Sequence, residues 1–277
     1  MQSKAHAPWT HEARLRDVWR PQPGRYSDEE FAEALLGCGA AGPDCSHDRT
    51  NVLWKVDRMV SGDPDGQFGL SGLTRFTVLE VLAMIGEEAG FHPSIFGDGE
   101  GPVPIDPAKV LASCRAAGDR LDHAARRGER VVLATGHPSG LPLLYMAVAE
   151  LIEEYGATVI RPAEGFVWRE QGGRREIRYF HGVAMLSDRA STLHTHSPAA
   201  MQAMLQEARP DLVFADHGFA GAAIEAGIDT VSIADVNDPA LIVAKWQGRT
   251  DTVIVMDDNV RPETYWPCFQ AIAEAFA

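Results

Sequence analysis

Five short stretches concentrate the side chains able to do chemistry: "TGHPSG" (135–140), "HTHSP" (194–198), "ADHG" (215–218), "ADVND" (234–238) and "MDDN" (256–259). Imidazoles and carboxylates together suit a divalent cation, which neutralises phosphate and makes a water more acidic. His194 and His196, two positions apart, share one side of an extended segment and can reach one ion. Asp216 beside His217 offers a metal ligand, a general base or an orienting partner. The metal ligands expected on these grounds are His194, His196, Asp216 and Asp235, and the catalytic residues Asp216, His217 and His137.

The turn "TGHPSG" follows an apolar run and precedes a helical pattern, as a phosphate-binding turn does. It lacks the lysine of a Walker loop and the three spaced glycines of a dinucleotide fingerprint. Its backbone N–H groups and the Ser139 hydroxyl are therefore read as a cradle for phosphate, formed with Thr135, Gly136 and Gly140. Ser197, Asn237, Asp257 and Asn259 complete the expected substrate contacts. Structural readings stay open beside these. Ser197 before Pro198 and Asp238 before Pro239 have the form of helix caps, Asp216 can cap the helix it precedes, and only one of the adjacent Asp257 and Asp258 can face a cleft.

Such residues need elements that carry them to one place. Apolar runs at 130–135, 157–162, 183–187, 211–216, 229–235 and 251–258 read as strands separated by helices, with a final helix from about Pro262 to Ala277. That alternation predicts an α/β fold: a mainly parallel, Rossmann-like three-layer sheet. "FVWREQGGRREIRYF" reads as a hairpin about Gly172 and Gly173. Residues 1–105 read as an N-terminal helical and loop region packing on or covering the core, and residues 106–277 as the α/β domain with the site. "SDEEFAEALLG" and "LTRFTVLEVLAMIGEEAG" are its helices, and "SGDPDGQFGLSG" and "FGDGEGPVPIDP" are loops able to form a lid. Ligands of open parallel sheets bind outside the carboxyl ends of the strands, where all five stretches fall.

The 277 residues, 45% of them apolar, suffice for a large core, and the net charge of −14 argues against nucleic acid and anionic membranes. The expected partner is a small anionic metabolite; a homo-oligomer is open. The start of the chain has no apolar signal core and no run is long enough to span a bilayer, so a cytoplasmic protein is expected. Cys38, Cys45, Cys114 and Cys268 are too scattered for a disulfide scaffold, and the spacing of Cys38, Cys45 and His47 fits no common zinc motif.

From about residue 50 onward the chain resembles a group of bacterial proteins known as phosphatases, through "TGHPSGL", "LHTHSP", "RPDLVFADHGFAGAAIEAGIDT", "ADVNDPAL" and "MDDNV". The resemblance implies phosphate-ester hydrolysis without assigning a nucleophile. The chain has no D-x-D-x-[TV] or R-H-G signature of the standard phosphatase classes. The expected function is a metal-dependent hydrolase of a small phosphorylated metabolite, with Mg, Mn or Zn as cofactor. The alternatives are a lyase, isomerase or transferase acting on a phosphorylated sugar or nucleotide, and a non-catalytic small-molecule binding protein.

Overall fold

In the computed structural model, residues 17–97, 100–170 and 172–277 are described. Strand β1 (Arg130–Thr135) is buried from Val131 onward on both of its faces, the mark of a strand inside a parallel sheet. It pairs in parallel with β5 (Val183–Ser187) on one side and β6 (Leu212–Asp216) on the other. Beyond β6 follow β7 (Asp229–Ala234) and β8 (Thr252–Val255), both parallel. Beyond β5 lies an antiparallel hairpin, β3 (Val167–Glu170) with β4 (Gly173–Phe180). The order is β3-β4-β5-β1-β6-β7-β8, a mostly parallel mixed sheet in an α/β fold.

The strand expected over 157–162 shortens to β2 (Thr158–Val159), paired with the start of β1. Pro162 has no N–H to donate and Ala163 sits at φ 56°, so the chain turns away before a longer ladder forms. Between β1 and β6 the direction of winding reverses. From β1 the chain passes to the β5 side through α6 (Pro142–Glu154), then returns through α7 (Ala199–Glu207) to β6. From there it continues outward through α8 (His217–Glu225) to β7 and through α9 (Pro239–Trp246) to β8. The chain leaves β1 and β6 in opposite directions at this reversal, and the carboxyl ends at such a point are where open parallel sheets bind ligands.

Helices α5 (Pro107–Arg126), α6 and α10 (Trp266–Ala273) pack as one group, and α7, α8 and α9 as another. Right-handed crossovers running in opposite directions from the middle of the sheet place such groups on opposite faces. Before α5 come α1 (Asp28–Cys38), α2 (Arg49–Val60), α3 (Pro64–Gln67) and α4 (Val78–Ala89). Capping boxes of Ser27 with Glu30 and Thr77 with Glu80 start α1 and α4, and Asp48 caps α2.

Helices α2 and α4 lie against α9, and the buried core runs without a break from Val52 and Ile85 to Val132, Phe214 and Ile254. The Asp257 N–H reaches Ala40 O at 2.9 Å, and Gly42 bridges Ile105. These contacts bring Ser46 and His47 to the carboxyl ends of the strands. Among the described residues no helix is long and apolar enough to cross a membrane. The first residues, on which the expectation of no signal segment rests, and Asp98 and Gly99 of one candidate lid lie outside the described residues.

Candidate functional site

At the end of β6, Asp216 Oδ1 accepts the Gly136 N–H at 2.7 Å and faces His217 Nδ1 at 2.8 Å, which ties the turn after β1 to the turn after β6. His217 holds φ 45°, a left-handed conformation that costs a non-glycine residue energy and that gathers at functional sites. Its ring then points Nε2 away from Asp216, toward Asp238 Oδ2 at 3.3 Å and Asp258 Oδ2 at 3.9 Å. The next residue must be glycine. A Cβ on Gly218 would run into the carbonyl oxygens of His196 and Ser197, so "HTHSP" could not lie against α8.

Across the crevice, His47 Nε2 stands 3.3 Å from Asp235 Oδ2, which also accepts the Asp258 N–H at 3.2 Å. Three sets of donor atoms lie within 4.8 Å of one another: His194, His196 and His217; His217, Asp238 and Asp258; His47, Asp235 and Asp258. The four rings of His137, His194, His196 and His217 pack together, with His194 at 5.0–5.1 Å between centroids from each of the other three. Phe68, from the loop before α4, sets its ring edge-on against His196 and His217.

Burial and mutual repulsion decide the charges. Burial, then the charges of Asp258, Asp257 and Asp238, raise the Asp235 carboxyl well above its usual range. Burial and the charge of Asp238 do the same to Asp258. Burial works against the His217 cation, yet Asp238, the hydrogen bond to Asp216 and the charges of Asp216 and Asp258 lift it to about 10. Asp238 is held below the usual range against the cost of its burial, by His217, His196 and Lys55. Burial and neighbouring imidazoles push His194 down to about 4, and burial lowers His196 and His47, which leaves ring lone pairs for a cation.

The donor set fits a divalent metal. Asp258 is 3% exposed, and its Oδ2 accepts no hydrogen bond among the described residues. A buried carboxylate without donors is costly unless a cation faces it. Mixed imidazole and carboxylate donors suit Zn, Mn or Fe.

His137 stands apart. Its Nδ1 accepts the Gly140 N–H at 3.2 Å, so in the neutral ring Nε2 carries the hydrogen, 3.8 Å from Asp258 Oδ1. A ring whose Nε2 bears a proton is a donor and cannot also ligate through that atom.

The structure thus brings His137, His194, His196, Asp216, His217 and Asp235 into one crevice. Asp216 is in none of the three donor sets; it stands behind His217, as a carboxylate orients a metal-binding histidine. The turn "TGHPSG" serves as a brace. The Gly136 N–H is taken by Asp216, the His137 N–H by Thr135 Oγ1 at 3.0 Å and the Gly140 N–H by His137, so these amides do not face outward for phosphate. Ser139 and Asn259 are exposed, and Ser197 Oγ donates to Glu170 Oε1 at 2.6 Å. Asp257 takes the Ser46 N–H at 2.6 Å and its hydroxyl at 2.8 Å, and so fastens the His47 loop. Asn237 Nδ2 donates to Asn51 Oδ1 at 2.9 Å and meets His47 Nδ1 at 3.2 Å.

Sequence reasoning did not select His47, Asp238 and Asp258 as site residues. In the sequence His47 stands out only beside Cys38 and Cys45, whose thiols instead donate to the carbonyls of Leu35 and Gly42. Asp238 precedes a proline at a helix start, but its side chain makes no cap bond and faces His217. All four cysteines are free.

A family profile described as Phosphatase matches residues 26–276 of the chain. The chain is also similar to Phosphatase SCO2771 of Streptomyces coelicolor, 36% identical over 256 residues, which cover 89% of this chain and 94% of that protein.

Proposed function

Because this chain belongs to the Phosphatase family, we propose that it is a cation-dependent hydrolase of phosphate monoesters on small metabolites. The observation that carries the cation is the convergence of His194, His196, His217, His47, Asp235, Asp238 and Asp258 in one crevice. A bound divalent cation would place charge against the phosphoryl oxygens and make an attacking water more acidic.

The chain's own residues do the rest. Asp216 fixes the His217 ring so that Nε2 faces Asp238 and Asp258. His137, pinned by the Gly140 N–H, presents its Nε2–H beside Asp258 as a donor to a phosphoryl or leaving-group oxygen. Lys55 lies one helical turn beyond Asn51 on α2, half-buried, and its charge reaches Asp238, His196 and His47. It makes no ion pair among the described residues and so is available to a substrate anion.

Small substrates fit donors this deeply set: Asp235 is 0% exposed, and Asp238 and Asp258 are each 3% exposed. The acidic chain also disfavours polyanions. We read the winding as Rossmann-like, from its reversal between β1 and β6, and the segment up to about residue 105 as a region that packs on the α/β core and lends His47, Asn51 and Lys55 to the site. Four free thiols favour the cytoplasm. The test is release of inorganic phosphate from a panel of sugar and nucleoside monophosphates, with chelator and after reloading with Mg²⁺, Mn²⁺ or Zn²⁺. Conversion of a substrate without phosphate release would point to a lyase or isomerase.

A further inference from the structure

The donors divide into two sides. His47 and Asp235 face each other at 3.3 Å on one, and His217 and Asp238 at 3.3 Å on the other. Among the described residues no donor set within 4.8 Å contains both His47 and His217, and Asp258 is the residue that the two sides have in common. Ligand atoms bound to one ion at about 2.0–2.2 Å lie no more than roughly 4.4 Å apart, so a single ion cannot gather both histidines. Asp258 has the features of a bridge. It is 3% exposed, Oδ2 accepts no hydrogen bond among the described residues, and its two oxygens point differently, Oδ2 lying 3.9 Å from His217 Nε2 and Oδ1 3.8 Å from His137 Nε2.

We infer that the crevice holds two ions, one among His217, Asp238 and Asp258 and one among His47, Asp235 and Asp258, with Asp258 as their shared carboxylate. This rests on the cation-dependent reading above and goes beyond it in number and arrangement. A carboxylate spanning two ions about 3.5–4 Å apart is the geometry that clamps the entering and leaving oxygens of an in-line phosphoryl displacement.

Mn²⁺ is the probe. Full-length protein stripped with chelator, then titrated with Mn²⁺, should bind two ions per chain and give the electron paramagnetic resonance spectrum of a spin-coupled pair. Asp258→Asn should abolish the coupling. Asp235→Asn should lower the stoichiometry from two to one, and the remaining ion should be lost on Asp238→Asn. Each variant is first checked for native circular dichroism, and Asp235→Asn serves if Asp258→Asn does not fold. One ion per chain in the wild type, unaffected by Asp235→Asn, would overturn the two-ion arrangement and leave a single-ion hydrolase standing. No bound Mn²⁺, with phosphate release continuing in chelator, would overturn the cation-dependent reading itself.

Discussion

Asp238 and Asp258 both face His217 Nε2, yet replacing them with asparagine should have different effects in metal-free protein. Asp238 stays ionised because His217, His196 and Lys55 hold its carboxyl down against the cost of burial. Its Oδ2 lies 3.3 Å from His217 Nε2, a pairing of about 5 kcal/mol at an effective dielectric of about 20. His217 can escape the loss by giving up its proton. With its pKa near 10, deprotonation at about pH 7.5 costs about 3 kcal/mol at roughly 1.4 kcal/mol per unit, and the cheaper route sets the ceiling. Asp238→Asn should therefore cost up to about 3 kcal/mol, a Tm drop of roughly 5–10 °C for a chain of this size.

Asp258 has the opposite electrostatics. Burial and the charge of Asp238 raise its carboxyl, so without metal it takes up a proton, and asparagine copies the shape of the neutral acid. Asp258→Asn should change stability in chelator by less than about 1 kcal/mol, since the neutral acid that it replaces has no charge to lose. With metal the variant should fail to gain the ligand stabilisation of the wild type, about 2.7 kcal/mol at a hundredfold excess over Kd. Thermal melts by circular dichroism, with chelator and with Mn²⁺, read both effects. Equal losses for the two variants in chelator, or a larger loss for Asp258→Asn, would refute this assignment of charges.

Other parts of the molecule make separate demands. Gly218→Ala should push "HTHSP" off α8, at a cost of about 1–3 kcal/mol from overpacking, and weaken Mn²⁺ binding; calorimetric titration at wild-type affinity would contradict it. His137→Ala should lower kcat by roughly 10²–10⁴ with metal content unchanged by plasma mass spectrometry, because His137 is a donor and not a ligand. Loss of metal in that variant would contradict the tautomer. Glu225 is pushed down to about 2, against its burial, by the hydrogen bond from Arg249 and those from Ser71. A depressed carboxyl adds stability above its unfolded pKa near 4.5 and loses it as the pH falls toward about 2. Because the pair is partly exposed, the contribution is at most about 1 kcal/mol, and Glu225→Gln should flatten the acid limb of stability against pH by that amount.

The alternation of apolar runs and helical segments made most of the parallel sheet legible, since β1, β5, β6 and β7 lie where short, mainly apolar runs predict buried strands. Strand order was not legible, because pairing is a long-range choice that local pattern does not encode, and β2 fell short for want of a ladder past Pro162. Of the site, the histidines and Asp235 could be read from their positions at strand ends. His47 could not, because its loop is carried there by Ala40 and Ser46 binding the last strand's exit at Asp257. Local capping patterns drew attention away from Asp238, whose partner His217 is 21 residues away in sequence. The phosphate-cradle reading of "TGHPSG" counted its N–H groups but could not see that Asp216, Thr135 and His137 already accept them.

The decisive measurement is phosphate release by wild type and Asp258→Asn on one responsive monoester, each stripped with chelator and then reloaded with Mn²⁺. Release by the wild type should vanish on stripping and return on reloading, and the folded variant should release none in either state. Release that persists in chelator, or at the wild-type rate in Asp258→Asn, would contradict a cation site at the strand ends as the seat of the reaction.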